Sequence, residues 1–372
     1  MRILITGGLG FIGSALSRRL IDSGHDVVCL DSLTPQIHGD VPAIVVHAGV
    51  RTIRGDVRQL VRLTEQEKGF DIVFHLAAET GTGQSMYRIA DYVDVNEGGT
   101  AALLEAIGHW RIKPSKVILA SSRSVYGEGA YIDPARPDIL IQPEARSKAQ
   151  LDNGVWEFQS ANDQPLQAVP TPETLPFAPG SVYAATKASQ ELLLRSAGHA
   201  MGFKPVIFRF QNVYGEGQSL QNPYTGIISI FYNRARQGLE IPIYEDGLET
   251  RDFIHVDDIV SALVSSIDAD LPSAAILNLG SGTPTSVRHL AETLLAVAEF
   301  SVPLIVTGQF RVGDIRHCFA EMSLARELMS FEPKISLQDG LSRFADWASG
   351  QPAHTDKSEQ ATQELRAKGL TN

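Results

Sequence analysis

"ILITGGLGFIGSAL", residues 3–16, decides how the rest of the chain is read. An apolar, strand-like run is followed at once by glycines at 7, 10 and 13, and then Ile12, Ala15, Leu16 and Leu20 fall at the spacing of one helical face while Arg18 and Arg19 face water. This is a strand, a tight turn and a helix. Gly7 permits the turn, Gly10 lets backbone approach a pyrophosphate, and Gly13 lets the helix pack closely, with Phe11 and Ile12 at the helix N-terminus that attracts the anion. The next apolar run, "DVVCLD", ends in Asp31, whose carboxylate accepts from a ribose diol and repels a 2'-phosphate, so NAD is expected rather than NADP.

Further apolar runs continue the alternation: "DIVFHLAA", "KVILASS", "PVIFRF" and "AAILNLG". They imply an α/β fold, a doubly wound and mostly parallel Rossmann sheet. Asp56, in "RGDV" after the third strand, is placed to meet the adenine edge or to serve as a turn residue. Leu76, Ala77 and Ala78 pass beneath the pyrophosphate, where bulk would collide. His75 reads as a packed core histidine.

Residues 128–180 break the pattern with prolines and turn signals, as in "PTPETLPFAPG", and are expected to be an irregular excursion, either a solvated loop or a lid or subunit contact. The polar end, residues 351–372, is expected to be a loosely held tail.

At 372 residues the chain is long enough to bury a full core, and its two cysteines, Cys29 and Cys318, fit a reducing compartment such as the cytoplasm and argue against a disulfide framework. No metal site is expected. The opening "MRILITGG" carries no basic-then-apolar leader, so neither secretion nor a membrane span is expected. A net charge of −11 disfavours nucleic acid as a partner.

"SVYAATKAS" puts Tyr183 and Lys187 four residues apart on one helical face. A phenol of pKa about 10 is a poor base until a neighbouring cation stabilises the phenolate. With Ser122 of "ASSRSVYGEGA" holding a sugar oxygen, Tyr183 is placed to take a hydroxyl proton, and Lys187 to bridge the nicotinamide ribose.

In this order, "TGGLGFIGS", "HLAAE", "VDVNEGGT", "SSRSVYG", "YAATK", "RFQNVYG" and "RDFIHVDD" resemble the extended short-chain dehydrogenase/reductase superfamily, in its NAD-dependent nucleotide-sugar epimerase/dehydratase group, over nearly all of residues 1–350. The resemblance implies Ser122, Tyr183 and Lys187 as the catalytic trio, and further cofactor contacts from Val57 and Asn96. It implies a nucleotide sugar held by Ser85, Ser122, Ser124 and Asn212, by Arg251 and Arg311 on phosphate, and by Asp314 on ribose. A Rossmann domain, 1–211 with 252–276, and a smaller α/β sugar-binding domain, 212–251 with 277–350, follow from it. So does a homodimer, with Leu103, Leu104, Ile107, Leu192 and Leu193 as the apolar contact.

Arg123 and Ser124 narrow the reaction. The resembling 4,6-dehydratases carry Asp-Glu at these positions to eliminate water, and the decarboxylating relatives keep a glutamate where Ser124 stands. Reversible oxidation at C4 remains, which gives 4-epimerisation, with reduction of a 4-keto sugar using the same trio. Thr80 stands where UDP-galactose 4-epimerases usually have lysine, whereas "ETGTGQSMY" and "RVGDIRHCFAE" resemble the dTDP-L-rhamnose 4-epimerase group. UDP-glucose or UDP-glucuronate epimerisation and a non-catalytic NAD-sensing or scaffold role are the other readings; the intact Tyr183 and Lys187 count against the last.

Overall fold

A computed structural model describes residues 1–39, 47–222, 224, 226–353 and 358–371. Its centre is a seven-stranded parallel sheet. Five strands, β1 (Arg2–Thr6), β2 (Asp26–Asp31), β3 (Arg51–Arg54), β4 (Ile72–His75) and β5 (Lys116–Ser122), are joined by Lys204–Phe210 and Ala275–Leu279. The spatial order is β3, β2, β1, β4, β5, Lys204–Phe210, Ala275–Leu279, so the order reverses between β1 and β4. In open sheets of this kind, ligands bind in the crevice beyond the strand ends at such a reversal.

Side-chain alternation along β1 explains the double winding. Ile3 and Ile5 enter a core with Leu16, Leu20, Ile259 and Leu263. Leu4, between them, enters the opposite core with Leu103, Ile107, Val117 and Leu194. Both faces of the sheet are covered, which is why these strands read as continuous apolar runs rather than as an alternation of apolar and polar residues.

A second body packs helices Ile227–Arg236, Val287–Val297 and Leu337–Ser349 around Phe231, Tyr232, Leu290, Leu294, Leu341 and Phe344. Its small sheet pairs Asn212–Tyr214 with Thr250–His255, and Thr250–His255 with Pro284–Ser286 and His317–Cys318. Among the described residues, no helix is long and apolar enough to cross a membrane.

Three expectations are corrected. The excursion is not irregular: Arg136–Ile141, Ala130–Asp133 and Gln167–Val169 form an antiparallel sheet, and Ser147 and Gln150 close a capping box on helix Lys148–Asp152. Its strands are too short for a clear period, and its core, Tyr131, Phe158 and Leu166, is assembled from separate turns. The tail is not loose: Ser358–Ala367 is helical, with Ala361 and Leu365 buried, while residues 354–357 and 372 lie outside the described residues. Leu103 and Ile107 are fully buried against the sheet, so of the five apolar residues expected at a dimer contact only Leu192 and Leu193 are exposed.

Candidate functional site

A cleft of about 1390 Å³ opens at the carboxyl ends of the central strands. The glycine turn forms one wall. Gly7 has φ of +68°, and a Cβ there would lie 2.8 Å from Ala77 N, while a Cβ on Gly13 would lie 2.3 Å from Gly7 O. Both must be glycine for the turn and the helix to close. A Cβ on Gly10 would meet only Gly7 O, at 3.3 Å, so that glycine leaves space on the cleft side. Helix α1 (Phe11–Asp22) starts there with no side-chain cap and no acidic residue in its first turn. Phe11 and Ile12 therefore offer N–H groups and the positive end of the helix dipole to an anion.

Asp31 closes the same wall. It accepts from Leu9 N at 3.0 Å and Leu33 N at 2.9 Å, with His38 Nε2 at 3.6 Å. Burial alone would raise its pKa, but the His38 contact and these backbone donors hold the carboxyl below the usual carboxylate range. It stays ionised. Asp56 also lines the cleft, but it caps the turn beginning at Val57 and is forked by Arg58 at 3.0 and 2.6 Å. Val57, Leu76, Ala77 and Ala78 complete this floor. An uncapped helix, a Cβ-free approach and an ionised acid at the end of β2 fit a dinucleotide.

The opposite wall is the end of β5 and the helix Val182–Met201, which Ser181 caps by accepting from Ala184 N. Tyr183 sits in its first turn, where the helix dipole favours a phenolate. Lys187 donates to Ala120 O at 2.9 Å, and its Nζ lies 5.9 Å from the Tyr183 ring centre. Beneath them, Ser121 and Arg209 converge on Glu191, tying this helix to two strands of the sheet. The two faces of the trio are thus held by buried partners.

Ser122 Oγ accepts from both Ser124 N (3.2 Å) and Ser124 Oγ (3.0 Å). Both lone pairs are engaged, which leaves its proton to donate into the cleft. Burial pushes the Tyr183 phenol up, while the Ser122 hydroxyl and the Arg123 charge pull it back down. Burial also pushes Lys187 down to about 7. Arg123 is thus a cation acting on Tyr183 that the sequence did not single out. His75 bonds Thr6 and Thr100 and is pushed down to about 3 by burial, a neutral core histidine.

Asn212 lines the cleft and accepts from Arg123 Nε at 2.9 Å. Other expected residues lie off the cleft wall. Asn96 spends its amide on the Glu79 backbone and Thr186. Ser85 is buried and donates to Thr82 O. Arg251 donates to the carbonyls of Thr250 and Arg316, Arg311 stacks on Tyr244 at 5.0 Å, and the Asp314 carbonyl accepts from Arg146. Among the wall residues that the sequence did not single out as contacts are Arg123, signalled only by its place after Ser122, and Glu79, whose pKa is raised by burial.

Residues 3–168 and 160–280 match the model of the NAD dependent epimerase/dehydratase family. The dTDP-L-rhamnose 4-epimerase of Burkholderia thailandensis is 38% identical over 349 residues, covering 93% of this chain and 94% of that one. A UDP-glucose 4-epimerase of Thermotoga maritima, solved with UDP-glucose, superposes with a TM-score of 0.75 at 27% identity, covering 94% of this chain and 99% of its own. A UDP-glucuronic acid 4-epimerase of Bacillus cereus, solved with UDP-glucuronic acid and NAD, gives 0.73 at 26% identity, covering 94% and 99%.

Proposed function

The chain belongs to the NAD dependent epimerase/dehydratase family, and from that premise we propose that it inverts C4 of a nucleotide sugar, converting dTDP-L-rhamnose to dTDP-6-deoxy-L-talose. The observation that carries this reading is the turn after β5. Ser122 faces Tyr183 there, and the next two residues are Arg123 and Ser124, so neither is a carboxylate that could drive elimination at C5 and C6. The named relative at 38% identity supports the choice of sugar.

NAD, when bound, supplies the hydride acceptor and donor for C4. The chain's own residues handle the proton. Ser122 donates to the C4 oxygen, since Ser124 occupies its lone pairs. Tyr183 Oη takes the C4 hydroxyl proton and later returns it, its phenolate favoured by the Arg123 charge and the start of its helix. Lys187, fixed to Ala120 O, would hold the nicotinamide ribose. Glycines 7, 10 and 13, with Phe11, Ile12 and Asp31, would hold the pyrophosphate and adenosine ribose. Between the two proton steps the sugar turns so that its other face meets the cofactor. We place the dinucleotide on residues 1–211 with 252–276, the sugar nucleotide on 212–251 with 277–350, and expect a homodimer.

Proton NMR of the purified protein with NAD tests this, with dTDP-L-rhamnose, UDP-glucose and UDP-glucuronate offered separately and the H4 couplings followed. A C4 epimer of dTDP-L-rhamnose without net reduced cofactor is the expected result. Turnover of only a UDP sugar replaces the substrate. No epimer from any of the three, with oxidation of supplied NADH by a 4-keto sugar, makes the protein a 4-reductase and overturns the reading.

A further inference from the structure

Buried guanidinium groups in this protein come in two kinds. Arg146 forks onto Glu245, Arg209 onto Glu191, and Arg316 reaches Glu157, Glu245 and Asp246. Arg123 differs. Among the described residues no carboxylate lies within ion-pair distance of it; its Nε donates to the neutral Asn212 amide at 2.9 Å, and its Nη1 is buried with no hydrogen-bond partner. A second guanidinium, Arg251, is close enough for its charge to act on Arg123, and its own Nη1 donates only to backbone carbonyls. The Arg123 Nη1, buried without a hydrogen-bond partner and beside a second guanidinium, is a costly arrangement that an incoming anion relieves.

We propose that Arg123 is a substrate-binding residue, whose guanidinium takes an oxygen of the sugar-side phosphate of the nucleotide sugar with Arg251 as the second positive charge behind it. The inference rests on the nucleotide-sugar reading above and adds a residue to it. Three features select phosphate over a sugar carboxylate. The charge waiting there is double, as a diphosphate's is. Asn212 fixes Nε and so aims the rest of the planar fork. Arg123 lines the cleft and Arg251 is not among the lining residues, so the guanidinium that reaches the cleft is Arg123. Because Arg123 directly follows Ser122, gripping the phosphate at C1 also sets where C4 of the same sugar lies relative to Ser122 and Tyr183.

Calorimetric titration of the NAD-loaded protein with dTDP, dTMP, UDP and UMP tests the assignment, using the wild type, Arg123→Gln and Arg123→Lys. NAD content and melting temperature report that each variant is folded. Arg123→Gln is expected to weaken diphosphate binding about 100-fold and to leave the monophosphates, which lack the second phosphate, within about 3-fold of wild type. Arg123→Lys, keeping the charge without the fork, is expected to fall between the two at about 10-fold, and it carries the test if the glutamine variant does not fold. Equal losses for mono- and diphosphates, or no loss in either variant, overturn the proposal. So does a wild-type preference for UDP-glucuronate over UDP-glucose that disappears in Arg123→Gln while UDP binding is unchanged, because the anion is then the sugar carboxylate. A wild type that binds none of these nucleotides removes the functional reading itself, and the assignment with it.

Discussion

Two regions of this molecule bury arginines, and they do it in opposite ways. Where the 128–180 excursion meets the second body, Arg316 and Arg146 are locked onto Glu157, Glu245 and Asp246, and the Glu128 carboxylate accepts from the Arg316 backbone at 2.7 Å. At the cleft, Arg123 is left without a carboxylate and with a free, buried Nη1. The closed cluster matches its guanidinium groups with carboxylates, and that pairing ties the excursion to the second body. The open one retains an unmet charge beside Ser122 and Tyr183, and unmet charge is what a binding site offers its ligand.

The largest separation of the two regions comes from Tyr183→Phe. It is expected to lower kcat about 1000-fold or more while melting temperature, NAD content and nucleotide affinity stay near wild type, because only the proton carrier is lost. Turnover near the wild-type rate would break the assignment of the open site. Arg316→Gln is the counterpart in the closed cluster. Glu245, 4% exposed, loses one of its two arginines, and a loss of about 3 kcal/mol in urea unfolding is expected. A variant as stable as wild type would show that the cluster is not what holds the excursion down.

Leu365→Ala probes the tail, which packs beside Gly83 and is pinned where Tyr87 and Tyr224 donate to Glu364 at 3.1 and 2.5 Å. Leu365 is 3% exposed, and a cost of about 2 kcal/mol is expected in the same unfolding experiment. A pH-dependent effect concerns Glu128, which burial pushes up to about 7. The folded chain therefore binds this proton more tightly than the unfolded one. Its contribution is complete below about 4.5 and is lost as pH rises through about 7. Glu128→Gln keeps an acceptor for Arg316 N and should gain about 3 kcal/mol at pH 8 and nothing at pH 4. An equal change at both pH values would show that its ionisation does not matter to the cluster.

Much of the cofactor wall was legible because its parts are close in sequence. The turn between β1 and α1 needs glycines within a few residues, and Asp31 ends the strand that pairs directly with β1. The excursion was not legible for the opposite reason. Arg146 finds Glu245 and Arg316 finds Glu157, partners separated by 99 and 159 residues, and no local pattern announces such a pairing. The tail misled in the same way: it is polar along its length, and its few apolar residues matter only because Gly83 and its surroundings receive them.

The sequence by itself determined the doubly wound sheet and the glycine turn, since each follows from short-range periodicity or from a motif within one element, and it offered Ser122, Tyr183 and Lys187 as candidates through family resemblance. Tertiary structure alone decided which of these side chains reach the cleft. It turned Asn96 inward as a brace, tied Arg251 to backbone carbonyls, and brought Arg123 to the cleft wall with Tyr183. Exposure and charge pairing depend on groups distant along the chain, and those are fixed only when the elements pack.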